Sequence, residues 1–273
     1  MKITPLQLPS NPKIKVHFRT PTVDDAISIA ELDPAFEESI ANDYLTDIQD
    51  KDKNKGRECF DPREWTIEDR KLALMWIFVQ SREDHKVPIS YHCNHCDEKH
   101  YIDVDVSSIL ETGTAMNCAP VQAIEFQVGN KTLKARVSPL NGAHAEALEL
   151  LRMERDSYDE GTKEYRQCDV SIVMAEHAYL LSIEGEPEDP DEAFTYKMNF
   201  LRSLPLDSEF RALVAKVEQA LRKMRHGVPV RYLRGRYLLI CNHPNCSKAI
   251  EKGESDSKEL LLPFRINHFL PKL

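Results

Sequence analysis

Two pairs of closely spaced cysteines constrain the fold of this chain more than any other feature of its sequence. Two residues separate Cys93 from Cys96, four separate Cys241 from Cys246, and the pairs lie in opposite halves of the 273-residue chain. A structural zinc ion takes four ligands in a tetrahedron, commonly cysteine thiolates, and two such turns supply a full set. The sequence therefore predicts that two distant hairpins meet at one structural zinc site.

The spacing leaves alternatives open. Four intervening residues are at the wide end for a zinc knuckle, and neither pair is followed by glycine; Asp97 stands directly after the first pair. His95 and His243 are therefore candidate substitutes for one of the cysteines. The pairs are also compatible with a disulfide, with the remnant of a lost metal site or with coincidence. We expect incidental thiols at the three remaining cysteines, Cys59, Cys118 and Cys168.

The compartment expected for the protein favours thiols over disulfides. The N-terminal segment lacks the apolar stretch of a signal peptide, and no window approaches the length of an apolar membrane span. We therefore expect a protein made and kept inside a cell, where cysteines serve as thiols or metal ligands more often than as disulfides. The net charge of -9 argues against a general nucleic-acid binder.

The first half of the chain predicts a hairpin, helices and a second hairpin. Alternating apolar residues at 14–18 predict a strand that pairs with 3–8 across the turn PSNP. Thr22 with Asp25, and later Thr66 with Asp69, predict capped helix starts. Residues 43–61 are polar without periodicity and predict a loop. Residues 87–106 predict a hairpin with the first cysteine pair at its bend and partly exposed strand positions at His92 and His100.

The second half repeats this order of elements. Two alternating runs joined by Gly129-Asn130 predict a hairpin; helices follow, and the chain then enters strands that carry the second cysteine pair. The predicted fold class is α+β, with two pseudo-repeated halves at 1–112 and 113–273. Each half consists of a β-hairpin, helices and a cysteine-bearing hairpin, and the halves are joined at a zinc-ribbon-like site.

The motif content favours a protein that is not an enzyme. The sequence contains no P-loop, dinucleotide-binding fingerprint, nucleophile elbow or H-E-x-x-H helix. Zinc held by four protein ligands has no position open for water or substrate, so it would support folding. Arg231, Arg234 and Arg236 form a basic strand near the second cysteine pair, which fits a protein partner or, as the alternative, a zinc-ribbon protein that grips nucleic acid.

Five segments and their order carry a resemblance to a known family. LPSNPKIKVHFRTPTVDDAISIAEL, WTIEDRKLALMWIFVQSR, ISYHCNHCDEKHYIDVDV and the late LICNHPNCSKAI before LLPFRINHFLPKL are similar to baseplate proteins of contractile-tailed bacteriophages, the family of the T-even baseplate hub assembly protein. By position, Cys93 and Cys96 match the family's first cysteine pair and Cys241 and Cys246 its second, while Phe264 and Phe269 match a terminal aromatic segment. The wide second spacing, the missing glycines and a charged insertion at 48–58 depart from the pattern.

The resemblance implies a role without catalysis. The chain would be made in the cytoplasm of the host bacterium and act at the baseplate hub of a myovirus tail, as a virion component or an assembly factor. Its partners would be hub, tube-initiating or wedge proteins. No membrane and no small-molecule substrate are implied, and nucleic acid is the less favoured partner.

Overall fold

The computed structural model describes residues 2–54, 60–233 and 236–272, except for the side chains of 232–233, 236–237 and 241–243. The protein mixes helices with small antiparallel sheets, in agreement with the α+β expectation. The first part contains β1 (Leu6–Leu8), β2 (Asn11–Val16), α1 (Val23–Ala30), α2 (Glu37–Asp47), α3 (Ile67–Ser81), β3 (Lys86–His92), β4 (Lys99–Asp105) and the short α4 (Val106–Leu110).

The second part begins with another hairpin and is rich in helices. Its elements are β5 (Gln122–Val128), β6 (Lys131–Val137), α5 (Gly142–Asp156), α6 (Lys163–Leu180), β7 (Leu181–Ile183), α7 (Pro190–Ser203), a π-helical turn (Leu206–Phe210), α8 (Arg211–Lys223), β8 (Val230–Leu233), β9 (Arg236–Pro244), α9 (Ser247–Glu251), β10 (Ser257–Pro263) and a 3-10 turn (Ile266–His268).

The described strands form four sheets. Two are isolated hairpins, β1–β2 and β3–β4; β6 lies between β5 and β7, and β9 between β8 and β10. Val128 pairs with Lys131 across the turn at Gly129, whose φ of 56° is in the left-handed region that glycine adopts without strain. The predicted hairpins at 3–18 and 124–137 are thus confirmed.

The largest hydrophobic core joins the two ends of the chain. It combines the apolar faces of the first two hairpins, α2 and α3 with buried residues from the C-terminal segment, namely Val228, Leu239, Leu262, Ile266, Phe269 and Leu270. A second core packs β5–β7 against α6, α7 and α8. The boundary expected between 112 and 113 stays a prediction, while the C-terminal segment shares its core with the first half.

A glycine fixes the contact between α5 and the first half. The N–H groups of Gly142 and Ala143 donate to the carbonyls of Trp65 and Arg63, at 3.0 and 2.9 Å. A Cβ atom at Gly142 would lie 2.4 Å from the Pro62 carbonyl oxygen, so only glycine permits this approach of two backbones.

Two details differ from the sequence-based expectation. α2 continues to Asp47, so the predicted loop at 43–61 is wrong at its start: Tyr44 and Leu45 are buried in the main core, and packing selects a helix that the polar sequence did not indicate. At the start of α3, Thr66 accepts the Asp69 N–H as predicted. The Asp69 carboxylate, however, accepts hydrogen bonds from the backbone and hydroxyl of Ser10, tying α3 to the β1–β2 turn.

Candidate metal centre

The β3–β4 hairpin places the first cysteine pair on a tight loop. Its last paired residues are His92 and Lys99, and the Cys93 N–H donates to the Glu98 carbonyl at 2.9 Å. The loop turns at Asp97, whose φ of 62° lies in the left-handed region, and whose N–H donates to the Cys93 carbonyl. Aspartate is among the few residues besides glycine that adopt this conformation readily, so the missing glycine after the pair is no obstacle to the turn.

Cys246 reaches this loop from the far end of the chain. It precedes α9, between β9 and β10, and its Sγ lies 3.6 Å from the Sγ of Cys93. The Sγ atoms of Cys93, Cys96 and Cys246, the three-thiol cluster, all lie within 4.8 Å of one another. Zn–S bonds of about 2.3 Å in a tetrahedron separate two sulfurs by about 3.8 Å. The cluster therefore has the dimensions of three ligands on one ion and could hold a metal.

The spacing of the sulfurs is also informative about redox state. A disulfide bond is about 2.05 Å long, so Cys93 and Cys246, with sulfurs 3.6 Å apart, are thiols. Hydrogen bonds from the backbone N–H groups of Cys96 and His95 lower the pKa of Cys93 to about 6. Burial, together with the neighbouring Cys93, raises the pKa of Cys96 above its ordinary value. A dication at the cluster would supply the charge needed to ionise all three thiols.

Groups outside the cluster contact its sulfurs. The Nζ of Lys258, on β10, lies 3.8 Å from Cys93 Sγ and 4.2 Å from the centre of the Tyr91 ring. Tyr91 stacks on His100, whose Nε2 lies 3.0 Å from Cys96 Sγ. Such outer contacts orient metal ligands and offset the charge of thiolates.

Lys258 and the contact of His100 with Cys96 were not predicted from the sequence. The signal for His100 was its place four residues beyond Cys96, on the same hairpin as the cysteines. With Cys96 and Glu98, His100 also forms a second group of potential ligand atoms within 4.8 Å of one another. Nothing in the local sequence marked Lys258, because its contact with Cys93 depends on how β10 packs against the distant hairpin.

The structure brings together three of the four predicted cysteine ligands. The side chain of Cys241 lies outside the described part, and so does that of the alternative ligand His243. Their backbone belongs to β9, where Cys241 pairs with Leu260 and His243 with Lys258. The Nε2 of His95, the other alternative ligand, lies 3.3 Å from the Oε2 of Glu254. The strand that carries both of these candidate ligands is thus hydrogen-bonded to the strand whose lysine contacts the cluster.

The basic strand is only partly described. Arg231 is exposed and pairs with Glu259 of β10, Nη2 to Oε1, at 2.6 Å. Arg234 lies outside the described residues, and Arg236 is described only as a backbone position on β9 that pairs with Leu233. Since Arg231 is matched by an acid on the same sheet, its charge contributes less to an unmatched basic surface than the sequence indicated.

The chain was compared with known proteins at three levels. No protein-family model matches it, and no significant match is found among curated proteins or solved structures. Among the described residues, no helix combines the length and apolar character needed to cross a bilayer.

Proposed function

We propose that this chain is a zinc-stapled structural or assembly component of the baseplate hub of a contractile bacteriophage tail, where it joins hub, tube-initiating or wedge proteins. The observation that carries the proposal is the three-thiol cluster. In this cluster Cys246, from the C-terminal segment, lies beside the two cysteines of the β3–β4 hairpin. A metal at this place ties the C-terminal segment to the β3–β4 hairpin. Such a staple suits a rigid joint between several partners.

The proposed metal is zinc in a closed, zinc-ribbon-like site. Three thiolates favour a soft or borderline ion, and the fourth ligand is Cys241, or His243 in its place. With four protein ligands the ion has no open position, so its role is to stabilise the fold. Lys258 offsets part of the negative charge of the thiolates from 3.8 Å away.

The baseplate assignment draws its support from the order of elements. Each half opens with a hairpin (β1–β2 and β5–β6), continues with helices and reaches a cysteine-bearing turn, and this order underlies both the pseudo-repeat and the resemblance described above. The protein would be synthesised in the host bacterial cytoplasm and act at the tail tip, with other baseplate and tail proteins as its partners and without enzymatic activity.

The first experiment measures metal in protein purified under reducing conditions. We expect about one zinc ion per chain, lost in Cys93→Ser and Cys246→Ser and kept in the matched control Cys168→Ser, whose thiol lies outside the cluster. The two metal-free variants should unfold at lower denaturant concentration than the control. Wild-type protein without bound metal would refute the staple.

The second experiment tests the place of the protein in the tail. Tagged wild-type chain expressed during infection should co-purify with baseplate proteins, and the triple exchange of Arg231, Arg234 and Arg236 for glutamate should weaken this incorporation. The matched control exchanges three exposed lysines, Lys131, Lys248 and Lys252, for glutamate. Equal incorporation of both variants would exclude the basic strand as a contact, and salt-sensitive retention of the wild type on DNA without tail proteins would favour the nucleic-acid alternative.

A further inference from the structure

A groove of about 500 Å³ lies between α1, the end of α3 and the C-terminal tail, away from the three-thiol cluster. Its walls combine polar and apolar surface, and the apolar part includes Val23, Phe78 and Phe269, the last two in edge-to-face contact with ring centres 5.6 Å apart. Its described lining contains two charged side chains, Arg82 and Lys272, and both are cationic. We refer to this feature as the α1–tail groove.

The positive charge of the groove is not neutralised within the described part of the chain. The guanidinium of Arg82 lies over the Phe78 ring, 4.5 Å from its centre, and its Nη2 donates a long hydrogen bond, 3.4 Å, to the Leu270 carbonyl. No described carboxylate lies within ion-pair distance of Arg82 or Lys272. The nearby Asp25 is engaged elsewhere, because both of its oxygens accept from Arg19, at 2.6 and 2.7 Å.

Tyr44 adds an unused hydrogen-bonding group to the same wall. Its side chain is 5% exposed, and among the described residues its hydroxyl has no hydrogen-bond partner. Burial raises the pKa of this phenol above its ordinary value, so the hydroxyl stays protonated and can donate to a ligand group that reaches it. A buried polar group without a partner destabilises the fold, and a ligand that accepts its hydrogen bond removes that penalty.

Apolar surface continues from the groove along α1. Val23 and Ile27, one helical turn apart, are 63% and 42% exposed. This surface extends past the space that a small molecule in the groove would cover, and it favours a chain segment that lies across α1.

We propose that the α1–tail groove binds a segment of a partner protein in which a glutamate or aspartate is flanked by bulky apolar side chains. The carboxylate contacts Arg82, with Lys272 and the Tyr44 hydroxyl as further donors, and an apolar neighbour packs on Phe78 and Phe269. As a contact for the proposed hub scaffold, this inference rests on the proposed function for the identity of the partner, whereas the chemistry of the site is read from the groove alone.

The test uses the 273-residue chain and two pools of fluorescent pentapeptides. One pool carries a central glutamate between leucine or phenylalanine residues, and the matched pool carries glutamine at the same position. Wild-type protein should bind the glutamate pool about tenfold more tightly, as expected for a charge-assisted hydrogen bond in a partly buried site. This preference should be lost in Arg82→Gln and reduced several-fold in Tyr44→Phe, and kept in Lys131→Gln, which removes an exposed cation far along the chain on β6.

Tyr44→Phe separates binding from folding, because it removes only a hydroxyl that has no partner and should leave the unfolding midpoint unchanged or higher. Equal binding of the two pools, or a preference that survives both groove substitutions, would overturn the inference. If wild-type protein is incorporated into tails but binds the two peptide pools equally, the inference about the groove is overturned and the proposed function stands. If the protein prefers the glutamate pool but does not associate with tail proteins, the binding site is supported and the proposed function is refuted.

Discussion

Glu149 on α5 should make the stability of this protein depend on pH. The residue is 9% exposed, and its carboxylate accepts the Glu38 N–H at 2.8 Å. It therefore caps α2, whose own N-cap residue Phe36 makes no side-chain cap. Burial is the main reason why its pKa rises from 4.5 to about 7, and the nearby carboxylates of Glu38 and Glu37 add to the effect. The folded protein therefore holds this proton more tightly than the unfolded chain does.

The sign and size of the effect follow from linkage. Stability from the protonated Glu149 is fully present below pH 4.5 and is lost as the pH rises through about 7. One pKa unit corresponds to about 1.4 kcal/mol, so the complete loss is about 3 kcal/mol, of which about 2.5 kcal/mol falls between pH 5 and pH 8. In Glu149→Gln the amide oxygen can still accept the hydrogen bond from the Glu38 N–H, but the side chain cannot ionise.

The assay is denaturant unfolding of wild type and Glu149→Gln at several pH values from 5 to 8. The free energy of unfolding of the variant, minus that of the wild type, should grow by about 2.5 kcal/mol across this range. Glu154→Gln, an exposed position on the same helix, is the matched control and should follow the wild type. Parallel curves for wild type and Glu149→Gln would show that the carboxyl ionises normally and would refute the reasoning.

Three other perturbations have defined outcomes. Gly142→Ala forces a Cβ against the Pro62 carbonyl and should lower the free energy of unfolding by about 2 kcal/mol or more in denaturant titrations. A loss below about 0.5 kcal/mol would mean that the backbone at position 142 separates easily from that at Pro62. Asp69→Ala leaves the two donors of Ser10 without their acceptor and should cost about 3 kcal/mol, measured in the same way, and near-neutral stability would contradict this. Chelation of the proposed metal should speed amide hydrogen exchange in β3, β4 and β10 and leave α5 unaffected; unchanged exchange in these three strands would argue against a local staple.

Much of the local structure could be predicted from the sequence. Period-two alternation located the β1–β2 and β5–β6 hairpins, and Gly129-Asn130 marked the turn of the second. The capping pattern of Thr22 and Asp25 predicted the start of α1, where both reciprocal hydrogen bonds form. These features depend on residues close together in the chain, so local chemistry is sufficient to specify them.

The candidate site was predictable in part for the same reason. The spacing of Cys93 and Cys96 indicates a metal knuckle by itself, and the later cysteine pair indicated a second contributor. That Cys246 contacts the first pair, and that Lys258 approaches Cys93, depends on how the C-terminal segment packs on the main core. No local pattern encodes that packing.

The hairpins, the capped helix starts and the thiols suited to a metal follow from local sequence, because strand alternation, capping and turn chemistry act over a few residues. Packing between distant segments is what extends α2 through Tyr44 and Leu45, bonds Ser10 to the Asp69 carboxylate, and brings Cys246 to Cys93 and Cys96. Each of these depends on burial and hydrogen bonding between segments far apart in the chain. These contacts stabilise the protein only once the cores have formed.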